Sequence, residues 1–300
     1  MAEAIRNYTS YKVQPDAWIL GRFVCPASRL EELSAAADQP LASDFPFRIA
    51  AVSRGGATSP QFFDALRADL DAIRAFGDGA PTVVDGLEAR LPPDICAAPE
   101  ADIRQFLLRV NDLFRGREYS LYRYFEGSQG ENWQESAKRV ICVLSEFGRE
   151  HAGNGHESSP GFKLRCGGLE PEAIPPIDDV ALALVRCRGQ RVPFKATAGL
   201  HQALRHFDAD LHCPVHGFLN VFGAGALAHA RRLTEPQVRL IVASEDSTDF
   251  IFDEEGFRFR DWHATSAEIA LARKNLVLSF GSCSFDEPLE DLHNLGLLSR

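Results

Sequence analysis

The feature that most constrains the fold of this chain is an alternation. Short apolar runs rich in β-branched and aromatic residues recur between longer stretches of helical period, from near residue 17 to the C-terminus. Parallel strands joined by crossover helices produce this pattern, because a strand covered on both faces needs apolar residues throughout while each helix needs a single apolar stripe. Eight strands are predicted, over residues 18–24, 47–52, 82–91, 119–126, 162–165, 192–197, 238–244 and 276–281. Between them the helical period is carried by Leu30, Leu33 and Ala37 behind Pro26 and Ser28, and by Phe63, Leu66, Leu70 and Ile73 behind Ser59 and Pro60. Ile103, Phe106, Leu107 and Val110 mark a third helix, residues 133–149 a fourth and residues 178–187 a fifth. Pro214, ahead of the apolar run that follows His216, predicts the start of a sixth.

An α/β chain with eight such units is predicted to be a single (β/α)₈ TIM barrel over residues 1–300, with residues 1–16 as an N-terminal extension. Residues 246–263 alternate around Glu255 and Gly256 and predict a hairpin beyond the seventh strand, a lid or a support for the rim. The competing architecture, a doubly wound open sheet, would carry a glycine-rich phosphate turn after its first strand, and Val24-Cys-Pro-Ala27 has none. A polar Gly/Asn/Ser stretch at 153–160 leads into the fifth strand.

Composition removes several function classes. A net charge of −10 over 300 residues, without a basic patch, argues against nucleic acid and against an anionic membrane as partners. The seven cysteines are odd in number and widely spaced, which fits a reduced, cytoplasmic setting. The N-terminal residues lack the charged-then-apolar order of an export signal, and no run of 18 apolar residues occurs. An apolar-rich chain of this length is compatible with a homo-oligomer, with no interface located.

Strand alternation turns charge positions into an argument. Successive side chains point to opposite faces, so Phe162 and Leu164 facing helices place Lys163 and Arg165 together on the other face. The same parity pairs Lys195 with Thr197, Glu88 with Arg90, and Glu126 with Tyr122 and Tyr124. His201 and Arg205 follow at the mouth. Barrel interiors are otherwise filled by branched apolar residues, and inward charges at strand C-terminal ends are where barrel enzymes hold small anionic substrates. The bland alternative is a salt-bridge cluster such as Glu126 with Lys163 that satisfies only itself.

Lys195, with Lys163 and Arg165 as like-charged neighbours and little solvent, is the candidate nucleophilic amine, because both conditions favour its neutral form. In this one lysine position and in architecture the chain resembles class I aldolases and related lyases of the barrel superfold; the resemblance implies a Schiff base on Lys195, with lyase or isomerase chemistry. The same cations also suit a purely electrostatic role, with Lys163, Arg165 and Lys195 clamping a carboxylate or phosphate and stabilising an enolate. Glu126, Glu88 and His201 are the candidate acids and bases. Arg90, Thr197, Arg205, Ser282 and Cys283 complete the substrate-binding set, Ser282 and Cys283 lying between the last strand and a helical run at 289–298.

No cofactor is predicted. A divalent metal at His201, His212, Cys213 and His216, or at Glu88 and Glu126, is the alternative, although neither set matches a metal-binding spacing. A non-catalytic binding barrel is the third reading.

Overall fold

A computed structural model of the chain describes residues 1–36, 48–77, 83–115, 121–128, 130, 132–151 and 159–298. Within it the chain is an α/β protein with two compact units, residues 1–128 with 146–160, and residues 129–145 with 161–300. Among the described residues the parallel sheet has seven strands in the order β1-β2-β3-β4-β5-β6-β12, and a closed eight-stranded barrel is not seen.

The first unit begins with α1 (Ala2–Tyr11), which buries Ile5 and Tyr8. A 3-10 turn over Pro15–Ile19 takes up the start of the expected first strand, and β1 is Phe23–Pro26. Pro15 presets the first turn residue and Trp18 is left 71% exposed, so the apolar run at 18–20 is a surface turn rather than sheet. There follow α2 (Leu30–Ala36), β2 (Arg48–Val52), α3 (Ser59–Gly77), β3 (Val83–Arg90), α4 (Pro93–Ala97), α5 (Glu100–Phe114) and β4 (Tyr122–Glu126). The expected stripe of α3 is buried, and Phe62 and Phe63 each lie 4.9 Å from Phe106 of α5, ring centre to ring centre. Each fully buried phenylalanine contributes about 1.5–3 kcal/mol, which makes this aromatic seam a principal anchor of the two helices. Ala37, Phe47, Thr82, Tyr119 and the polar stretch at 153–158 lie outside the described residues.

After α6 (Trp133–Glu150) the second unit continues with β5 (Gly161–Arg165), α7 (Ile177–Gln190) and β6 (Phe194–Thr197). Phe162 packs against Trp133 at 6.4 Å, so the apolar parity of β5 does face a helix. Residues 206–215 form an antiparallel hairpin, β7 (His206–Asp208) with β8 (Cys213–Val215), where a helix start was expected. The helix α8 (Phe218–Arg231) begins two residues beyond His216.

The predicted seventh strand is instead α9 (Glu235–Ala243). Val238, Ile241 and Val242 are buried while Leu240 is half-exposed, an i, i+3, i+4 stripe and not an alternation. Thr234 and Gln237 close a capping box over the helix start, with Pro236 in the first turn, and these signals outweigh the β-propensity of the Val/Ile content. With no strand contributed by 238–244, β12 (Val277–Gly281) pairs directly with β6.

The expected hairpin at 246–263 is a three-stranded antiparallel sheet, β9 (Phe250–Asp253), β10 (Gly256–Phe259) and β11 (Trp262–Thr265). Its apolar side carries Phe250, Phe257 and Phe259, and α8 approaches it so closely that a Cβ on Gly223 would sit 2.8 Å from the Phe257 ring. The chain ends with α10 (Ser266–Asn275), β12 and α11 (Asp286–Asn294). No described helix is long and apolar enough to cross a membrane. All seven cysteines are free thiols, four of them buried.

Candidate functional site

The second unit gathers most of the expected residues at the C-terminal ends of three strands. In the parallel register Lys163 pairs with Lys195, and Lys195 with Ser279 of β12. One row closer to the C-terminal ends, Arg165 pairs with Thr197 and Thr197 with Gly281. Paired positions on neighbouring strands lie about 4.8 Å apart and point to the same face. Lys163 and Lys195 therefore stand side by side, each 5% exposed, with Arg165 and Thr197 next to them nearer the strand ends. Neither lysine is without a polar partner.

The loops leaving β5 and β6 are locked together. Ala198 and Gly199 both take left-handed backbone, at φ 59° and 66°, and a Cβ on Gly167 would fall 2.5 Å from the Gly199 Cα. A non-glycine residue at positive φ costs of order 1 kcal/mol, so the bend after Thr197 is held by its surroundings. The bend delivers His201, whose Nδ1 lies 2.6 Å from Glu287 Oε2. Two residues on, the Ala203 N–H donates to Asp291 Oδ2 at 2.6 Å.

Beyond β12, the Ser282 hydroxyl is buried and has no hydrogen-bond partner among the described residues, an arrangement native proteins keep mainly where water or a ligand completes it. Cys283 is exposed, and Ser284 Oγ accepts the N–H groups of Asp286 and Glu287 at the start of α11. Arg205, with its side chain 13% exposed, has its Nε 3.5 Å from Glu245, and its backbone N–H donates to Asn220.

In the first unit Glu88 pairs with Tyr124, and Arg90 with Glu126, so the expected same-face sets of β3 and β4 are in register. Glu88 and Glu126 are 2% and 4% exposed, and both have polar partners; Arg90 is exposed. Burial pushes the Tyr124 phenol well above its ordinary value, with Arg22 opposing and Glu88 adding to the effect. Beside it lies a cluster that the sequence pattern did not single out: Asp85 accepts two bonds from Arg22 at 2.5 and 2.9 Å and lies 2.8 Å from the Arg48 Nε, while Arg22 lies 5.0 Å over the Tyr122 ring. Asp85 sits at the register shift between β2 and β3, which no alternation pattern in one strand can reveal.

The metal set His201, His212, Cys213 and His216 is not assembled. His201 is engaged by Glu287, and His216 Nε2 donates to the Pro175 carbonyl at 2.7 Å. Among the described residues the three metal-capable side chains that converge, with donor atoms within 4.8 Å, are Asp253, Glu255 and His263 in the β9–β11 sheet. Asp253 already accepts from the Glu255 and Gly256 N–H groups and from Arg258. Compared with family models, with curated proteins and with solved structures, the chain matches none of them.

Proposed function

We propose that the second unit carries the active site of an enzyme for a small anionic substrate, with Lys195 as its Schiff-base amine and lyase or carbon-acid chemistry as its reaction class. The observation that supports this reading is the row of two buried lysines, Lys163 and Lys195, at paired positions of β5 and β6. Their paired register puts the two lysines side by side on one face of the sheet, an arrangement that suits an anionic group of the substrate. Arg165 and Thr197 in the next row supply further donors, and the Ser282 hydroxyl lies beyond the end of β12, the strand next to β6. In this reading Lys163 and Arg165 hold the anionic group while Lys195 condenses with a neighbouring carbonyl.

The test is borohydride trapping with a panel of small 2-keto acids and sugar phosphates, read by intact mass and peptide mapping, on wild type and Lys195→Met. A reduced adduct mapped to Lys195, and absent from Lys195→Met, is expected. Equal adduct in both proteins, or none in wild type with any probe, overturns the Schiff-base assignment.

A further inference from the structure

Resting on that reading, we infer that His201 is the proton-transfer group of the lysine site and that Glu287 is its positioning residue. The two are 86 positions apart in sequence, yet Glu287 Oε2 lies 2.6 Å from His201 Nδ1. A carboxylate at Nδ1 takes the N–H of that nitrogen, and in a neutral imidazole this leaves Nε2 as the nitrogen with the lone pair. Glu287 therefore selects both the tautomer and the ring orientation, as the third group does in a base assembled from two side chains.

A solitary exposed ion pair would not carry this argument, because such pairs contribute between nothing and about 1 kcal/mol. The contact is part of a larger clamp. Glu287 and Asp291 are one helical turn apart on α11, hence on one face, and they hold two points of one short segment, the His201 ring and the Ala203 N–H. Ser284 in turn caps the α11 start that carries Glu287. The clamped segment leaves β6 through the left-handed residues Ala198 and Gly199, wedged against Gly167. A strained bend, a wedge and two carboxylates thus fix the position of one imidazole four residues beyond Thr197, at the end of the strand that carries Lys195.

The chemistry follows. A 2-keto acid condenses with Lys195, forming a C–N bond and releasing water. His201 Nε2 then removes a proton from the carbon beside the iminium carbon; the C–H pair becomes a carbon–carbon double bond and the iminium π pair moves to nitrogen, giving an enamine. Return of a solvent proton through His201 reverses the step, so in D₂O the substrate acquires deuterium without net turnover.

The experiment uses the full-length protein with pyruvate in D₂O, following loss of the methyl proton signal by NMR for wild type, Glu287→Gln and Glu287→Asp. In parallel, nitrogen shifts of labelled histidine report the His201 tautomer without any substrate. Glu287→Gln is expected to lower exchange at least tenfold, within the range general acid–base catalysis supplies, and to move neutral His201 away from the Nδ1–H form; Glu287→Asp recovers part of both. Wild-type exchange in Glu287→Gln overturns the inference. So does a loss of exchange with the tautomer unmoved and the thermal midpoint lowered, which marks a structural clamp only. If wild type neither traps an adduct nor exchanges pyruvate protons while the tautomer still follows Glu287, the Schiff-base reading fails and the acid–base role falls with it.

Discussion

Acid should weaken this fold through one buried histidine. His216 is fully buried between β8 and α8, its Nε2 donates to the Pro175 carbonyl, and its Nδ1 has no hydrogen-bond partner among the described residues. Burial holds its imidazole down to about 4, with Arg205 adding to the effect and the Pro175 bond opposing it. The neutral ring is thus the form the fold accepts, whereas the unfolded chain takes up a proton near the ordinary value of 6.5. Stability from this group is therefore complete above about pH 6.5 and is lost as pH falls from there toward 4. At about 1.36 kcal/mol for each pH unit between those values, the full loss is about 3 kcal/mol, of which about 2 kcal/mol is gone by pH 5. Urea unfolding followed by far-ultraviolet circular dichroism at pH 8 and pH 5, on wild type and His216→Gln, isolates the effect, because glutamine can keep a donor toward Pro175 but does not titrate. The variant should lose about 2 kcal/mol less than wild type over this interval. Parallel losses in the two proteins would refute the reasoning, as would an NMR titration placing the His216 midpoint near 6.5.

Two further predictions concern the framework of the site. Asn220 is fully buried, accepts the Arg205 N–H and donates to the carbonyls of Ile241 and Ser244, so Asn220→Leu removes three hydrogen bonds and should cost about 2–4 kcal/mol in urea unfolding; a cost under about 1 kcal/mol would mean that these groups find other partners. Gly167→Ala forces a Cβ into the Gly199 backbone and should cost about 1–3 kcal/mol and reduce adduct formation on Lys195, whereas Gly189→Ala on α7, with open space around its Cβ, should be neutral or slightly stabilising. Equal thermal midpoints for those two variants would contradict the wedge.

Where the fold departs from the expected pattern, each departure has a local cause. The Val, Ile and Leu content of residues 238–242 favours a strand, but the spacing of Val238, Ile241 and Val242 is helical and Thr234 with Gln237 marks a helix start. Pro214 suits a first helical position, yet it lies in a short hairpin strand ahead of that helix, a place a proline can hold because the strand is at an edge. At 18–20 an apolar run resembles sheet, whereas Pro15 and the residues behind it make a turn.

Alternation along a single strand is a property of covalent geometry, so the sharing of one face by Lys163 and Arg165, by Lys195 and Thr197, and by Glu88 and Arg90 was legible in the amino-acid sequence. The helical stripes of α3 and α5 were legible for the same reason, since residues three and four apart must meet. Register between strands has no such local cause. That Lys163 stands beside Lys195, and Arg90 beside Glu126, depends on how separate strands slide against one another, and packing across the sheet sets it. The bond of Glu287 to His201, the burial of the Ser282 hydroxyl and the buried neutral His216 are decided the same way, by chain segments far apart in sequence that meet only once the hydrophobic layers close.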